Sequence, residues 1–557
     1  MPYRISRRKA LAGLSATAAL PLIGCASGPQ RSADSDSAFA HGVASGDPDA
    51  TSVVLWTRVS TQRRTASGKW IVTEDEAQRR VVKRGVFSTD RSRDMTVKLV
   101  VDGLQPGKIY YYSFKYEGEN SPVGRARTLP SGRLDKLGIA LASCSNLPFG
   151  YFNAYETIAL DPGVDVVLHL GDYLYEYGPD GYGGASGRAL EREHQPAREI
   201  VSLDDYRQRH AQYKADPQSQ MMHAAHPLIA IWDDHESTNN PWREGAENHQ
   251  PETEGDWTTR REQSLQAYYE WMPIREPGMD LPREQYWRHY QFGDLASLVT
   301  LETRHTGRDL QLDYAQFEEL LQTREGIGAF MQQHLNAPGR RMLAPEMEVF
   351  LDEALRESVA AQRPWRILGN QIPMARSYIP MITDEHLQQL SIDESHSLFE
   401  EAQFFKALGP ARLPMFLDAW DGYPWARERF YELARQAGAE DLLVVTGDSH
   451  AFWQNQLFDN EGKPMGLELG TTGITSPSAF SSLGDEGAAL MDTLIAQASP
   501  EIVWTEGLTH GYVRLTLTRG EATVDYVGVS TVKERAYQPV NVRQTRITRE
   551  GGHLNYA

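Results

Sequence analysis

Three apolar stretches with the length and composition of buried β-strands are each followed at once by acidic side chains. The three pairs are residues 164–170 before Gly-Asp-Tyr-Leu-Tyr at 171–175, residues 227–232 before Asp-Asp-His-Glu at 233–236, and residues 442–446 before Gly-Asp-Ser-His at 447–450. Open α/β sheets place their sites at the carboxyl ends of the strands, so these side chains are expected to meet in one crevice. Carboxylates and imidazoles are metal ligands, and the pattern predicts a metal-centred hydrolase.

From residue 135 onward, strand-like and helix-like stretches alternate. The strand-like stretches are residues 137–142, 164–170, 228–232, 296–301, 365–368 and 442–446, the helix-like ones include 262–271 and 314–321, and 512–518 with 522–528 alternate as a hairpin. This predicts an α/β catalytic domain over residues 135–535, with layers α/β/β/α if two sheets pack face to face, and a C-terminal tail at 536–557. The insertions at 177–204, 240–256 and 371–405 are expected to shape a substrate entrance or lid.

The segment before this domain is rich in short strand-like runs. Between residues 39 and 130, such runs are separated by Gly, Asp and Pro. Their regular spacing predicts an antiparallel β-sandwich of the fibronectin type III or immunoglobulin kind, and Leu-Gln-Pro-Gly-Lys-Ile-Tyr at 104–110 resembles a tyrosine corner. We expect a scaffold domain. A carbohydrate-binding module is the alternative, although no residue of the segment marks a ligand site.

The first residues have the pattern of an export signal. Arg7 and Arg8 precede a small apolar stretch at 12–23 that is too short to span a bilayer, which is typical of twin-arginine (Tat) signals. Leu-Ile-Gly-Cys at 22–25 resembles a lipobox, in which Cys25 becomes lipid-anchored; ordinary cleavage and release into the periplasm is the alternative. The sequence predicts a Tat signal over residues 1–27, a linker over 28–38, the Tat translocase as export partner, and a periplasmic or cell-surface location. No other stretch is long and apolar enough to cross a membrane.

Charge and cysteine content narrow the classes of function. The 557 residues carry a net charge of −19, which repels nucleic-acid backbones and anionic lipid surfaces. Phosphorylated substrates stay compatible with this charge, because a multinuclear metal site reverses its sign locally. The two cysteines are Cys25 and Cys144, so a mature secreted chain has no internal disulfide framework. Cys144, in the polar segment that follows a predicted strand, is either a buried apolar residue or a functional thiolate.

Motifs along nearly the whole chain together resemble one family. They are His-Gly-Val-Ala-Ser-Gly-Asp-Pro at 41–48, Val-Leu-Trp-Thr-Arg at 54–58, Ser-Cys at 143–144, His-Leu-Gly-Asp-Tyr-Leu-Tyr-Glu at 169–176, Trp-Asp-Asp-His-Glu at 232–236, Leu-Gly-Asn-Gln-Ile-Pro at 368–373 and Gly-Asp-Ser-His at 447–450. In this order, behind a Tat signal, they resemble the PhoD-type alkaline phosphatases of the metallophosphoesterase superfamily. The resemblance implies a PhoD-type N-terminal domain, a metallophosphoesterase catalytic domain, and extracytoplasmic hydrolysis of phosphate monoesters and diesters by a cluster of iron, Fe³⁺, and calcium, Ca²⁺.

One side of the expected cluster combines soft and hard ligands. Asp172 is the natural bridging carboxylate, since it offsets the repulsion of two cations roughly 3.5 to 4 Å apart. Cys144 would supply a thiolate and His450 an imidazole. Tyr175 is assigned as a phenolate ligand because it resembles the tyrosine of the Asp-x-x-Tyr pattern in this family and in purple acid phosphatases; an aromatic core residue is the alternative. Such a ligand set favours iron over calcium.

The other side of the expected cluster consists of harder ligands. Asp234 and Asp448 offer carboxylate oxygens, which calcium prefers. Many metallophosphoesterases have Asn and His at these two positions, so the change to anionic ligands moves the preference from transition metals toward calcium. Gln371 stands where relatives outside this family often have a histidine ligand. It is interpreted as an amide ligand, with a structural hydrogen bond in a strand-end turn as the alternative.

Three further residues are assigned to the substrate. His235 resembles the histidine of the superfamily's Asn-His motif, which contacts the phosphate and protonates the leaving alkoxide. Asn146 would donate to a phosphate oxygen. Arg304 would bind a phosphate oxygen bidentately, with a surface salt bridge as the alternative.

The reaction predicted from these residues is in-line attack on phosphorus by a metal-bound hydroxide, without a covalent phosphoenzyme. A dedicated phosphodiesterase that acts on phospholipid or teichoic-acid-like polymers is the alternative among enzymes. A lipid-anchored binding protein with an inactive site is the alternative from another class. The sequence disfavours the binding protein, because every expected ligand is present.

Overall fold

The computed structural model describes residues 37–278 and 281–557. The predicted Tat signal, Cys25 and most of the predicted linker lie outside the described residues. Within the two described ranges, no helix combines the length and the apolar character that a membrane span requires.

β-Strands occur along the whole described part of the chain. In chain order they are β1 (Val43–Gly46), β2 (Val53–Arg58), β3 (Thr65–Thr73), β4 (Val81–Asp90), β5 (Thr96–Val101), β6 (Ile109–Tyr116), β7 (Glu119–Asn120), β8 (Gly124–Arg127), β9 (Lys136–Ala142), β10 (Val166–His169), β11 (Leu228–Ala230), β12 (Pro241–Trp242), β13 (Gly245–Ala246), β14 (His289–Phe292), β15 (Ala296–Thr300), β16 (Trp365–Gly369), β17 (Leu442–Thr446), β18 (Phe452–Phe458), β19 (Pro464–Gly470), β20 (Ile502–Glu506), β21 (Gly511–Thr518), β22 (Glu521–Val529), β23 (Pro539–Glu550) and β24 (His553–Tyr556). The predicted C-terminal hairpin is present, as β21 and β22 pair antiparallel.

The α-helices of the described residues all follow β9. They are α1 (Asn153–Leu160), α2 (Gly184–Leu190), α3 (Leu203–Ala215), α4 (Pro217–Ala225), α5 (Pro251–Glu254), α6 (Trp257–Trp271), α7 (Glu318–Leu321), α8 (Arg324–Phe330), α9 (Pro345–Ala360), α10 (Asp384–Gln389), α11 (Phe399–Leu408), α12 (Pro424–Ala437) and α13 (Gly484–Ala498). Five of them begin after a side chain that accepts a hydrogen bond from the first turn: Ser202 before α3, Asp216 before α4, Asp256 before α6, Thr323 before α8 and Thr383 before α10. Such caps satisfy backbone donors that have no partner inside the helix.

The larger sheet has ten strands in the order β24-β23-β22-β21-β9-β10-β11-β1-β2-β5. Its centre, β9 to β11, is parallel and completely buried apart from the first residue of β9. β1 pairs in parallel with β11, so three N-terminal strands, β1, β2 and β5, continue the sheet of the catalytic domain. The two domains therefore share one sheet.

The second large sheet has seven strands in the order β14-β15-β16-β17-β19-β18-β20. Strands β15, β16, β17 and β19 are parallel. Ile139 and Leu168 of the ten-stranded sheet share one buried apolar cluster with Ile367 and Leu443 of the seven-stranded sheet, and α1, α3 and α6 contribute to it. A second cluster joins α9 and α12 to the other side of the seven-stranded sheet. The predicted α/β class with an α/β/β/α arrangement is confirmed.

The N-terminal β-rich domain is a sandwich. Its separate sheet has the order β4-β3-β6-β7, with β8 also paired to β6. This sheet shares a buried core with β1, β2 and β5 that includes Leu55, Val72 and Phe114. The Tyr110 hydroxyl accepts a hydrogen bond of 2.9 Å from the backbone N–H of Gln105, as in a tyrosine corner.

The prediction of a C-terminal tail at 536–557 is wrong. β23 pairs antiparallel with β22, and β24 with β23, so these residues form one edge of the ten-stranded sheet. Most side chains of β23 are exposed, and Ile547 and Leu554 are the ones that are buried in the two strands. A strand with so few buried side chains lacks the apolar pattern by which a sequence reveals a strand.

Candidate metal centre

The predicted ligands lie where parallel strands of both large sheets end. Cys144 follows β9, Asp172 follows β10, Asp234 follows β11, and Asp448 follows β17. The first three strands belong to the ten-stranded sheet and the fourth to the seven-stranded sheet. The centre is thus assembled from loops at the carboxyl ends of strands in two facing sheets, where α/β folds place ligands.

Four of the predicted ligands have a left-handed backbone conformation. The φ angle is 60° at Cys144, 54° at Asp172, 61° at Asp448 and 59° at His450. For residues with a side chain, such a conformation costs about 1–3 kcal/mol and persists only where the surrounding structure holds it. The turns are therefore shaped to aim these four side chains.

Glycines precede Asp172 and Asp448 because the loops approach one another closely. A Cβ atom on Gly171 would lie 2.3 Å from the Cβ of Asp233, and a Cβ on Gly447 would lie 2.2 Å from the Oγ of Ser143. Both distances are far below normal contact, so only glycine permits this packing. The Asp172 loop thereby meets the Asp233 loop, and the Asp448 loop meets the Cys144 loop.

The first group of ligands surrounds Asp172. Single ligand atoms of Cys144, Asp172 and His450 all lie within 4.8 Å of one another. The Tyr175 hydroxyl lies 3.0 Å from Oδ2 of Asp172 and 3.3 Å from Nε2 of His450. The structure thus brings together the four residues that the sequence assigned to the iron side.

Contacts around this group orient His450 and Tyr175. Nδ1 of His450 lies 2.8 Å from the carbonyl oxygen of Pro477, which can only accept, so Nδ1 carries the proton and Nε2 faces Tyr175. The Ser476 hydroxyl donates to the Tyr175 oxygen at 2.8 Å. Burial, and next the Asp172 carboxylate, raise the pKa of both the Cys144 thiol and the Tyr175 hydroxyl well above their usual values. These groups therefore ionise only where a cation lies against them, as metal ligands do.

A second group of ligands is made of carboxylates. Oxygens of Asp233, Asp234 and Asp448 lie within 4.8 Å of one another, and Asp172 and Asp234 form a further such group with His235. Arg304 lies among the carboxylates. Its Nε donates to Asp233, its Nη2 donates to Oδ1 of Asp448 at 3.2 Å, and the same nitrogen is 3.5 Å from Oδ1 of Asp234.

The centre has more buried negative than positive charge. Asp172, Asp233, Asp234 and Asp448 are each at most 2% exposed, and Arg304 and His235 are cationic side chains that lie against them. Burial raises the pKa of Asp172 well above its usual value, although His235 opposes the shift, and the neighbouring carboxylates raise it further. Burial likewise raises the pKa of Asp233 to about 8, although Arg304 opposes the shift. Because uncompensated buried charge is costly, this donor set fits metal cations.

His235 lies beside the carboxylates in a defined orientation. Its Nδ1 donates to Oε2 of Glu176 at 2.7 Å, and its Nε2 is 4.0 Å from Oδ2 of Asp234. The Tyr175 ring stacks on the imidazole with the centroids 4.2 Å apart. Burial alone would lower the pKa of His235, but Asp234, Glu176 and Asp172 together raise it well above its usual value. Without bound metal, the structure therefore favours a protonated imidazole.

The other two residues assigned to the substrate have different environments. Asn146 is fully buried, and neither atom of its side-chain amide has a hydrogen-bond partner among the described residues. Arg304 is also fully buried and binds three carboxylates, so a surface salt bridge, the alternative left by the sequence, is wrong. Its Nη1 has no hydrogen-bond partner within the described ranges.

Gln371 is bound to the protein through both ends of its amide. Its Oε1 accepts from the Thr303 hydroxyl at 2.8 Å, and its Nε2 donates to the carbonyl of Leu301 at 2.7 Å. This is the structural hydrogen bonding that the sequence left open as the alternative. The geometry favours it over the metal-ligand assignment, because hydrogen bonds within the protein already hold both ends of the amide.

Three acidic residues of the site were not assigned from the sequence. Asp233 belongs to the carboxylate group, and Glu176 holds His235. Glu236 accepts from the backbone N–H groups of Asp172, Tyr173 and Asp233, and thereby ties two ligand loops together. All three lie inside motifs that the sequence marked, but their roles depend on which loop each side chain reaches.

Two of the predicted insertions border the centre. Tyr182, from the 177–204 insertion, lies parallel to the His450 ring with the centroids 6.4 Å apart. From the 240–256 insertion, the backbone N–H of Asn240 donates to Oδ2 of Asp234 at 2.9 Å, and the side chain of Asn248 donates to Glu176 at 2.8 Å. These insertions therefore support ligand and histidine positions.

Fold and site together define a phosphoric ester hydrolase of the two-sheet α/β kind, and comparison with known proteins gives the family. The family model "PhoD-like phosphatase" matches residues 139–526, and "PhoD-like phosphatase, N-terminal domain" matches residues 24–130. The chain belongs to the PhoD-like phosphatase family, as the motifs predicted, and phosphate esters are its substrates.

Individual relatives agree with the family model. Alkaline phosphatase D of Bacillus subtilis (strain 168) is 34% identical over 504 residues, which cover 88% of this chain and 77% of the relative. A solved structure described as "Structure of PhoD" superimposes with a TM-score of 0.74 at 31% identity, covering 95% of this chain and 93% of that chain. The similarity thus extends over both domains.

Proposed function

We propose that this protein is an extracytoplasmic, metal-dependent phosphatase that hydrolyses phosphate monoesters, diesters or both. The observation that carries the proposal is the excess of buried carboxylates at the carboxyl ends of the strands, next to a thiol, a phenol and an imidazole within a few ångströms. A two-metal site stabilises the charge that develops on phosphorus-bound oxygens during transfer.

The donor types divide the centre between two kinds of cation. Cys144, Tyr175 and His450, with Asp172, suit iron, since thiolate, phenolate and imidazole are soft or borderline donors. Asp234 and Asp448 suit calcium, and Asp233 lies in the same group of carboxylates. Asp172 shares one group with Cys144 and another with Asp234, so its carboxylate would help to hold both kinds of cation.

The chain's own residues would orient the ester and move the proton. When bound, the metals supply Lewis acidity and lower the pKa of a coordinated water. His235, held by Glu176 through Nδ1, presents Nε2 to the carboxylate side and donates a proton to the leaving oxygen. The amide of Asn146 donates to a phosphate oxygen. Arg304 keeps Asp233 and Asp448 in position, and its remaining Nη1 is the part that could reach the substrate.

The first test concerns metal and activity together. We expect purified enzyme to hydrolyse 4-nitrophenyl phosphate or bis(4-nitrophenyl) phosphate, a calcium-selective chelator to abolish the activity, and calcium to restore it better than zinc or magnesium. Asp234→Asn should lower calcium content and activity at least tenfold, because it removes a charged ligand. Both are measured by elemental analysis and initial rates.

Asp485→Asn is the matched control, since Asp485 is exposed in the first turn of α13 and lies outside both ligand groups. It should retain wild-type metal content and rate. Full activity in enzyme shown to contain neither calcium nor iron would contradict the proposed metal dependence.

Export is part of the proposal and rests on the sequence of the first residues alone. If the Tat pathway exports the folded protein, Arg7→Lys with Arg8→Lys should retain the precursor inside the cell. If Cys25 is lipid-anchored, Cys25→Ala should move the activity from the membrane fraction to the soluble periplasm. Cell fractionation measures both, and normal export of the double-lysine variant would contradict the Tat assignment.

A further inference from the structure

A largely apolar recess lies directly beside the metal centre. Its walls include Asp448, Ser449 and His450 of the metal-centre loop, so the recess and the centre share one boundary. The apolar walls are formed by Met415, Phe416, Trp453, Ala479, Phe480 and Ile495. The empty space between these walls is about 620 Å³, and this figure includes the part that is open to solvent.

Side chains from distant parts of the chain build this recess. Met415 and Phe416 come from the long connection between β16 and β17, Trp453 from β18, and Ile495 from α13. The indole N–H of Trp453 donates to the Ser449 hydroxyl at 2.7 Å, which fixes the ring against the loop that bears Asp448 and His450. The apolar surface is thus held in place next to the ligands.

Thr505 and Asp492 are polar groups in the wall of the recess. Thr505 is 6% exposed, and its hydroxyl has no hydrogen-bond partner among the described residues. Asp492 accepts from the backbone N–H of Gly507 at 3.1 Å through one oxygen. Burial raises the pKa of Asp492 to about 6, so the group is a carboxylate at alkaline pH. A buried hydroxyl with no partner indicates that a ligand or water group completes its hydrogen bonding.

We propose that this recess binds the organic group of the phosphate ester, and that it selects for a mainly apolar aryl or alkyl group that ends in a hydrogen-bond donor. The proposal rests on the proposed function and adds the substrate class. A phosphoryl group held at the metal centre must place its organic group in adjoining space, and the recess is adjoining space that shares Asp448 and His450 with the centre. Apolar walls favour carbon, while Thr505 and Asp492 favour a hydroxyl or ammonium at its end.

The test uses non-hydrolysable alkylphosphonates as competitive inhibitors of 4-nitrophenyl phosphate hydrolysis by the metal-loaded enzyme. Along methyl-, ethyl-, propyl- and butylphosphonate, the inhibition constant should fall about three- to fourfold per methylene group, since each methylene enters an apolar recess. An inhibition constant that does not change along the series would overturn the proposal.

Two variants test whether the dependence of inhibition on chain length arises in the recess. Ala479→Leu should fill the space and Phe480→Ala should open it to water, and each should reduce the ratio of the methyl- to the butylphosphonate constant to about a third or less. Phe404→Ala is the control, because Phe404 and Phe480 both pack against the same buried apolar cluster, but Phe404 does not line the recess. It should keep the wild-type ratio, and an unchanged ratio in both recess variants would contradict the assignment.

The polar end is tested with a terminal hydroxyl. In wild-type enzyme, 4-hydroxybutylphosphonate should inhibit at least as strongly as butylphosphonate. Thr505→Val removes the hydroxyl but keeps the shape of the side chain, so 4-hydroxybutylphosphonate should inhibit this variant about tenfold more weakly than it inhibits the wild-type enzyme. If the two compounds inhibit both enzymes equally, or if the wild-type enzyme binds butylphosphonate more tightly, the recess does not select for a terminal hydrogen-bond donor.

The result also separates the two proposals. Absence of hydrolysis of any phosphate ester by metal-loaded enzyme would refute the proposed function itself. Hydrolysis of 4-nitrophenyl phosphate with inhibition by methylphosphonate, but no dependence on chain length, would leave the proposed function standing and refute only the role of the recess.

Discussion

At the scale of single residues, the centre combines unfavourable backbone conformations with unfavourable burial of charge. Cys144, Asp172, Asp448 and His450 all have φ near 60°. Asp172 and Asp448 are in addition carboxylates that are at most 2% exposed. Either feature alone would destabilise the fold by about 1–3 kcal/mol per residue. Their coincidence at one place is the expected result of selection for ligand geometry, since metal binding to the native state stabilises that state.

Substitutions at Tyr175 and Cys144 test the iron side. Tyr175→Phe keeps the ring that stacks on His235 and removes the oxygen that lies 3.0 Å from Asp172. If Tyr175 binds ferric iron, the purified enzyme should have a visible absorption band from ligand-to-metal charge transfer. In Tyr175→Phe this band should shift or disappear, and the activity should fall at least tenfold. Cys144→Ser should weaken iron retention, because a hydroxyl is a poor substitute for a thiolate.

Absorption spectra, iron analysis and rates on the same samples give the answer. Tyr182→Phe is a matched control, since this tyrosine neighbours Tyr175 and His450 but lies outside the proposed ligand set. A colourless and fully active wild-type enzyme without iron would remove Tyr175 and Cys144 from the metal centre.

At the scale of secondary-structure elements, the site depends on how closely four strand-end loops pack. The Gly447 loop touches the Cys144 loop through the Ser143 hydroxyl, and the Gly171 loop touches Asp233. Glu236 reinforces the second contact with three hydrogen bonds from backbone N–H groups. The loops therefore form one unit, in which a shift of one displaces ligands on another.

Gly447→Ala tests this packing. The added methyl group would collide with Ser143, so we expect a loss of about 1–3 kcal/mol in the free energy of unfolding and reduced metal content. Gly520→Ala, in the turn between β21 and β22, is the control, because its φ is not left-handed and its Cβ would meet open space. Stability is measured by denaturant unfolding and metal content by elemental analysis. Equal stability and equal metal content in the two variants would contradict tight packing of the loops.

At the scale of the whole molecule, the N-terminal sandwich and the catalytic domain are parts of one structure. They share the ten-stranded sheet through the pairing of β1 with β11. Buried Asp47, at the end of a conspicuous N-terminal motif, accepts hydrogen bonds from the backbone of Arg275 and the hydroxyl of Tyr290. The indole N–H of Trp56, in β2, donates to the carbonyl of Glu270 at 2.9 Å. These motifs therefore serve the contact between the domains.

Asp47→Ala is expected to weaken this contact. Two donors of the catalytic domain would lose their acceptor, at a cost of about 2–3 kcal/mol in the free energy of unfolding. Asp49→Ala, two residues away and exposed, should change stability by less than about 0.5 kcal/mol. Chemical denaturation measures both, and equal stabilities would show that Asp47 does not anchor the sandwich.

Much of the site could be predicted from the sequence because its ligands follow their strands directly. The apolar stretches of five to seven residues and the polar loops behind them are local features, so the positions of Asp172, Asp234 and Asp448 in one crevice follow from the pattern alone. The N-terminal β-sandwich and the α/β class were predictable for the same reason. Strand and turn preferences act over a few residues.

Only the tertiary structure decided which side chains face one another across the crevice. The sequence does not reveal that Glu176 holds His235, that Arg304 is buried among carboxylates, or that Gln371 is engaged by Thr303. It also does not reveal that β1 joins β11 or that β23 and β24 complete the sheet. Each of these depends on contacts between residues far apart in the chain, where packing and burial, rather than local preference, determine the partner.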